Sequence, residues 1–114
     1  MPLISLSTNL TLERAQEMGI AKHLTVLTSE VIGKPEQWVM TNVSSQQSMT
    51  FAATDAPCAY LECKSIGLSD AQIPPFAAAL CALLQHELQL DPARVYIEFS
   101  AAQPQHWGWN GGTF

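Results

Sequence analysis

The spacing of apolar positions predicts two kinds of element in the first half of the chain. Residues 3–8 are apolar and partly β-branched, which predicts a strand. Residues 12–32 have helical spacing, and Gly33 with Pro35 just beyond it marks the helix end. The apolar stripe of this helix comprises Ile20, Leu24, Leu27 and Val31. Residues 38–44 predict a second strand, so this half is a β-α-β unit.

The second half has the same order of elements. Residues 58–65 predict a strand, and residues 69–75 lead into a helix because proline suits a first helical turn. The predicted buried face of this helix comprises Phe76, Leu80, Leu83, Leu84 and Leu88. Asp91-Pro92 ends the helix, and residues 95–100 form the last long strand. The tail, 107–114, is turn-rich and aromatic, which indicates a short hairpin.

An internal repeat with a constant offset of 57 residues supports this division. Under that shift, Leu3-Ile4-Ser5-Leu6 falls on Tyr60-Leu61-Glu62-Cys63, and Pro35 falls on Pro92. The stripe of the first helix falls on Ala77, Cys81, Leu84 and Leu88. We therefore predict one domain over residues 1–114, with repeat halves of roughly 2–45 and 58–100.

Two β-α-β units predict an α+β fold, a two-layer α/β sandwich with a four-stranded sheet. A right-handed crossover makes the two strands of each unit parallel and places both helices on one face of the sheet. The other face is then uncovered although its strands carry apolar residues, so we expect a partner subunit there. Composition agrees, because 47% of residues are hydrophobic and only 13% are charged, against about 25% charged in an average globular protein. We expect an oligomer.

Charge excludes several classes of partner. The net charge is −5 with only five Lys and Arg, and no basic stripe is present, which disfavours binding to nucleic acid or to anionic membranes. No apolar run approaches the ~20 residues of a membrane span. The start, MPLISLSTN, lacks the pattern of a signal peptide. We expect a cytoplasmic protein, whose export would have to bypass a signal peptide.

Neither the cysteines nor the histidines have the spacing of a metal site. The cysteines are Cys58, Cys63 and Cys81, which we expect to be free thiols. His23 and His86 lie on predicted helices and are expected at the surface, while His106 flanks the aromatic tail. The sequence therefore predicts no metal and no other cofactor.

Short sequence motifs along the chain point to a family. They are Pro2, Gly33-Lys34-Pro35, Pro57-Cys58-Ala59, Ser65-Ile66-Gly67, Arg94-Val95-Tyr96-Ile97, and Gly108-Trp109-Asn110 through Thr113-Phe114. Each motif is weak alone, but together they span nearly the whole chain in order. Through them the sequence resembles the macrophage migration inhibitory factor family, with its relative D-dopachrome tautomerase. The resemblance implies a homotrimer whose sheets enclose a channel, with an active site at each subunit interface. It also implies cofactor-independent keto–enol tautomerisation of small aromatic α-keto acids such as phenylpyruvate, or of dopachrome-like compounds.

Pro2 is the catalytic base that the resemblance implies. Removal of Met1 would make Pro2 a secondary amine, and an ordinary α-amino group has a pKa of about 7.7–8.0. An apolar pocket and a nearby cation both lower such a pKa, which suits a base working near neutral pH. Lys34 is the candidate cation. Position alone favours the simpler explanation, that Pro2 is merely a residue exposed by loss of Met1.

The remaining site residues follow from the resemblance. Lys34 and the backbone N–H of Ile66 would bind the substrate carboxylate, and Tyr96 would come from the neighbouring subunit. Trp107, Trp109 and Phe114 would form an aromatic wall that holds an aryl group and desolvates Pro2. Each has a structural alternative. Lys34 could be an exposed cation at a helix end, and Ile66 a core residue at a strand end. Tyr96 could be packed in a sheet, and the three aromatic tail residues could plug the core or an interface.

The chain departs from the family pattern at two places. Leu61 stands where one family member has the second cysteine of a Cys-x-x-Cys, so we predict no thiol oxidoreductase activity. Glu98 stands where the family has Asn, two residues after Tyr96. An ionised carboxylate accepts hydrogen bonds but donates none, and it would raise the pKa of Pro2. We expect Glu98 to contribute to the substrate site and to alter substrate preference or weaken activity.

Two other functions fit the same residues. One is a cytokine-like signalling trimer with weak or vestigial tautomerase activity, whose receptor-binding surface the sequence does not reveal. The other is a structural oligomeric domain without any site.

Overall fold

The computed structural model describes residues 1–114 and follows the predicted order of elements. The strands of the main sheet are β1 (Pro2–Thr8), β2 (Met40–Ser44), β3 (Ala59–Ile66) and β4 (Val95–Ala102), and the helices are α1 (Arg14–Ile32) and α2 (Ile73–Leu88). The tail forms a small hairpin from β5 (Gly108–Trp109) and β6 (Gly112–Thr113). These elements confirm the predicted α+β sandwich and the predicted hairpin.

The sheet has the order β2-β1-β3-β4. β1 and β2 are parallel, β3 and β4 are parallel, and the two halves meet where β1 runs antiparallel to β3. Each half is therefore a β-α-β unit, as the repeat predicts, and β2 and β4 are left as the two edge strands. Neither helix combines the length and the apolar character that a membrane span requires.

Two elements start two residues later than predicted, each because of local turn chemistry. The second strand begins at Met40 rather than at residue 38, because Glu36–Trp38 form a 3-10 turn closed by a bond from the Val39 N–H to the Glu36 carbonyl. The first helix begins at Arg14 rather than at residue 12, because Glu13 caps it in a reciprocal capping box. The 3-10 turn matters for the site, since it carries Trp38.

The core lies between the two helices and one face of the sheet. Its fully buried members include Ile4, Leu6, Leu24, Leu61, Phe76, Leu80, Leu84 and Leu90. The buried row of α1 consists of Ile20, Leu24, Thr28 and Ile32. Leu27 and Val31, predicted for this row, only pack against its edge. The sequence pattern missed the true row because a polar residue, Thr28, stands in the middle of it.

The other face of the sheet is open and carries both polar and apolar side chains, as expected for its apolar part. Side chains alternate along each strand, and the register places Ser5, Ser7, Asn42, Glu62, Lys64, Glu98 and Ser100 on the face away from the helices. The apolar and aromatic side chains on this face are Leu3, Met40, Tyr60, Ile66, Tyr96 and Ala102. The polar side chains suit a surface in contact with water, while Met40 and Tyr96 are left 68% and 66% exposed.

Candidate functional site

A cavity of about 440 Å³ opens where the start of β1 meets the 3-10 turn and the tail hairpin. It is lined by Met1, Pro2, Leu3, Gln37, Trp38, Val39, Met40, Trp107, Gly108, Trp109 and Phe114. Four sequence-predicted site residues therefore share one cavity: Pro2, Trp107, Trp109 and Phe114. Most of the lining is apolar, so a group inside it is partly removed from water.

Pro2 begins β1 and is fully buried, on the same side of the strand as the core residue Ile4. It pairs with Ser65 near the end of β3. Burial, and secondarily the charge of Lys34, lower the pKa of the terminal amine at Met1, which immediately precedes Pro2. This corner of the sheet therefore disfavours a protonated amine. While Met1 is attached, the Pro2 nitrogen is an amide and cannot accept a proton.

Lys34 reaches this corner from the end of α1. Gly33 ends the helix in the left-handed conformation, with φ of 69°, and turns the chain toward the sheet. The Lys34 Nζ atom lies 3.8 Å from the position that a Cβ would take at Gly67, which directly follows β3. Lys34 thus places a cation beside the Ile66–Gly67 backbone and close enough to the Met1 amine to affect it. Ile66 is half-buried at the end of β3 and does not line the cavity.

Aromatic rings form one wall of the cavity. Trp38 makes edge-on contacts with Trp109 and Phe114, at ring-centroid distances of 5.0 and 6.1 Å. Trp109 and Phe114 stack at 5.6 Å with an interplanar angle of 18°. The hairpin turn holds them there, with Asn110 and Gly111 at positive φ. Such a wall can pack against a flat aryl group.

Trp38 is the main site residue that sequence reasoning missed. The sequence pattern places it in a strand, where an aromatic residue is usually explained by packing. The 3-10 turn instead directs it to the cavity beside Gln37 and Met40. A usable signal was present, because Trp38 comes four residues after Lys34, in a segment already linked to the site.

Tyr96 lies far from this cavity within one chain. It pairs with Tyr60, whereas Pro2 is level with Ser65 and Ala101. Five residues of β4 separate the two levels, a distance of about 17 Å at 3.4 Å per residue. Tyr96 is 66% exposed at that distant end. One chain therefore does not bring Tyr96 and Pro2 together.

Glu98 also lies outside the cavity, in an acidic part of the open face. It sits directly across from Glu62 in the register, and the Tyr60 hydroxyl donates to Glu62 at 3.2 Å. Burial, Glu62 and Glu98 together raise the pKa of Tyr60. Lys64 lies 3.5 Å from Glu62 and offsets only part of this negative charge.

The remaining titratable groups form no second catalytic cluster. No group of three or more His, Cys, Asp or Glu could hold a metal ion. All three cysteines are free, and burial raises the pKa of the Cys63 thiol to about 12. His23 pairs with Glu87 between the two helices, and His106 is exposed and does not line the cavity.

The chain is similar to known proteins over its whole length. The family model "Macrophage migration inhibitory factor (MIF)" matches residues 1–114. Macrophage migration inhibitory factor of Mus musculus is 36% identical over 115 residues, covering 100% of this chain and 99% of that protein. The homolog of Brugia malayi is 31% identical with the same coverage.

Solved structures give the same result. The crystal structure of a macrophage migration inhibitory factor homologue from Prochlorococcus marinus matches with a TM-score of 0.93 and 31% identity, covering 98% of each chain. The Entamoeba histolytica protein has the same TM-score at 23% identity, and this second match shows the fold alone.

Proposed function

The chain belongs to the macrophage migration inhibitory factor family, and on that premise we propose that it is a cofactor-independent keto–enol tautomerase of arylpyruvate-like substrates. The family is known for tautomerase activity and for cytokine-like behaviour. The observation that carries the proposal is the single cavity in which a buried Pro2 faces an aromatic wall, with Lys34 close by.

The proposed reaction is a proton transfer next to a carbonyl. After Met1 is removed, the Pro2 amine takes a proton from C3 of the arylpyruvate. The C–H electron pair forms the C2–C3 double bond and the carbonyl π pair moves to oxygen. The protonated Pro2 amine then returns the proton to that oxygen to give the enol. The reverse direction uses the same steps. Lys34 pairs with the substrate carboxylate, and the wall of Trp38, Trp109 and Phe114 packs against the aryl ring.

We propose further that the working unit is a homotrimer. Tyr96 and Glu98 are too far from Pro2 to act on the same substrate from one chain. A neighbouring copy could supply both residues, since both are exposed on an edge strand. The open face of the sheet would then line a water-filled channel between the three copies.

The test is phenylpyruvate tautomerisation across pH, using protein whose intact mass shows that Met1 is absent. We expect activity to appear as a group with a pKa below about 7.7 loses its proton, and to vanish in Pro2→Gly. A form that retains Met1 is the matched control, because its Pro2 nitrogen is an amide. Full activity in Pro2→Gly would overturn the proposal.

A cytokine-like role is the second candidate, because the relatives are named for macrophage migration inhibition. Pro2→Gly in a cell-signalling assay separates the two functions. Signalling that survives the loss of tautomerase activity would assign the biological role to binding.

A further inference from the structure

Tyr96 is braced by a ring from another part of the chain. The Phe51 ring lies 4.7 Å from the Tyr96 ring, centroid to centroid, at 51°. Phe51 belongs to the segment between β2 and β3, where it forms an isolated bridge with Thr54. Ala52 and Ala53 occupy the turn, both at positive φ. The tyrosine that projects from the edge strand is therefore supported on one side by a tightly turned loop.

Arg94 fixes this loop to β4. Its guanidinium donates to the carbonyls of Pro57 and Phe51, at 2.9 and 3.2 Å. It also donates to the carbonyls of Thr54 and Ala56, at 3.4 and 3.0 Å. The same guanidinium lies over the Phe51 ring, 5.2 Å from its centroid. Because the fork of donors is planar and rigid, it holds the loop carbonyls in one arrangement.

We propose that Phe51 and Arg94 are positioning residues, which fix the orientation of the Tyr96 ring so that it can enter the cavity of a neighbouring copy. This inference rests on the proposed function. An unsupported tyrosine that is 66% exposed would sample several rotamers and lose that freedom on binding. The contacts of Arg94 and Phe51 restrict the Tyr96 ring before substrate binds, so less side-chain entropy is lost on binding.

The kinetic test uses Phe51→Ala, Tyr96→Ala and the double variant, in protein without Met1. We expect Phe51→Ala to raise KM for phenylpyruvate about three- to tenfold, in line with the loss of one aromatic pair, while kcat changes less than about twofold. The double variant is expected to be no worse than Tyr96→Ala, because Phe51 acts only through Tyr96. Phe51→Tyr keeps the ring and should retain the wild-type KM.

A spectroscopic test reads the positioning without relying on activity. The chain has two tyrosines, so fluorotyrosine labelling gives two ¹⁹F signals, and Tyr96→Phe assigns them. We expect Phe51→Ala to shift and narrow the Tyr96 signal and leave the Tyr60 signal in place. Arg94→Lys should move the Tyr96 signal in the same direction. Val26→Ala, which removes an exposed apolar side chain on α1, is the control and should move neither signal.

The two tests separate this inference from the proposed function. An inactive wild-type protein would overturn the tautomerase proposal and not the brace, which the ¹⁹F signals report independently. An unmoved Tyr96 signal in Phe51→Ala would overturn the positioning role. So would a wild-type KM in Phe51→Ala, or losses that add in the double variant.

Discussion

Around Pro2, two effects at single residues act in the same direction. Burial and, secondarily, the Lys34 charge lower the pKa of the Met1 terminal amine, which immediately precedes Pro2. A lowered pKa leaves more of a base unprotonated at neutral pH, and each unit corresponds to about 1.4 kcal/mol. The sequence could suggest the Lys34 effect through the family resemblance. The resemblance also implied that the aromatic tail desolvates Pro2, and the structure adds that Pro2 is fully buried and lines one cavity with that tail.

Lys34→Gln should therefore move the acid limb of the kcat/KM profile to higher pH, because the Pro2 amine loses a neighbouring cation and its pKa rises. We expect a shift of up to about one unit, together with about a tenfold higher KM as the substrate carboxylate loses its partner. Steady-state rates between pH 5 and 9 measure both, a range set by the ordinary pKa of about 8. Arg14→Gln, at the other end of α1, is the control. An acid limb that stays in place would rule out this role for Lys34.

A substitution at Thr28 is predicted to change the stability of the fold and not the activity. Its hydroxyl oxygen is buried in the core row of α1 and has no hydrogen-bond partner. Thr28→Val should stabilise the fold by about 1 kcal/mol, because an unsatisfied polar group is replaced by an apolar one of similar shape. Urea unfolding measures the change. Thr25→Val is the control, since the Thr25 hydroxyl donates to the Ala21 carbonyl at 3.1 Å and should not give the same gain.

The sequence predicted the regular elements better than the short turns between them. Both helices and four strands have strong periodicity, and their ends lie within two residues of the predicted ones. The 3-10 turn at Glu36–Trp38 was missed, because three residues carry no period and the Trp looked like a strand residue. That miss removed Trp38 from the predicted site. The tail hairpin was predictable because Asn110-Gly111 is a strong turn signal.

A substitution in the tail hairpin tests how much the aromatic wall contributes to substrate binding. Gly111 has φ of 80°, and a Cβ added there would meet open space, so Gly111→Ala costs only backbone strain, about 1 kcal/mol. We expect a several-fold higher KM for phenylpyruvate, because the strained turn no longer holds Trp109 and Phe114 in place. We also expect a melting temperature lower by about 4 °C, which is what about 1 kcal/mol of strain costs a domain of this size. Gly112→Ala, which also meets open space but lacks the positive φ, is the control. Equal KM values for the two variants would contradict the prediction.

The pairing of distant strands, and the way in which copies of the chain combine, were the features least predictable from the sequence. Periodicity gives which face of each strand is buried, but the order β2-β1-β3-β4 depends on pairings between distant segments. The antiparallel pairing of β1 with β3, together with the parallel pairing of β3 with β4, puts Tyr96 and Pro2 at opposite ends of the sheet. The resemblance alone supplied the idea that a second copy brings them together.

Mixing of subunits tests that idea. Pro2→Gly and Tyr96→Ala are unfolded together, refolded as a mixture, and assayed below KM. If the site combines Pro2 of one copy with Tyr96 of the next, random trimers restore about one complete site in four. We therefore expect the mixture to exceed the sum of the two separate proteins. Each variant refolded alone is the control, and simple additivity would place the whole site within one chain.

The internal repeat limits how many sites the scaffold can hold. The offset of 57 residues puts Ala59 at the start of β3, where Pro2 stands at the start of β1. The sheet thus has two pseudosymmetric corners. The nitrogen of Ala59 is an internal amide, however, and cannot act as a base. The repeat therefore gives two similar corners, of which only the one at β1 can carry the amine that the proposed mechanism needs. Only opening the chain just before β3 would create a second amine at the matching corner.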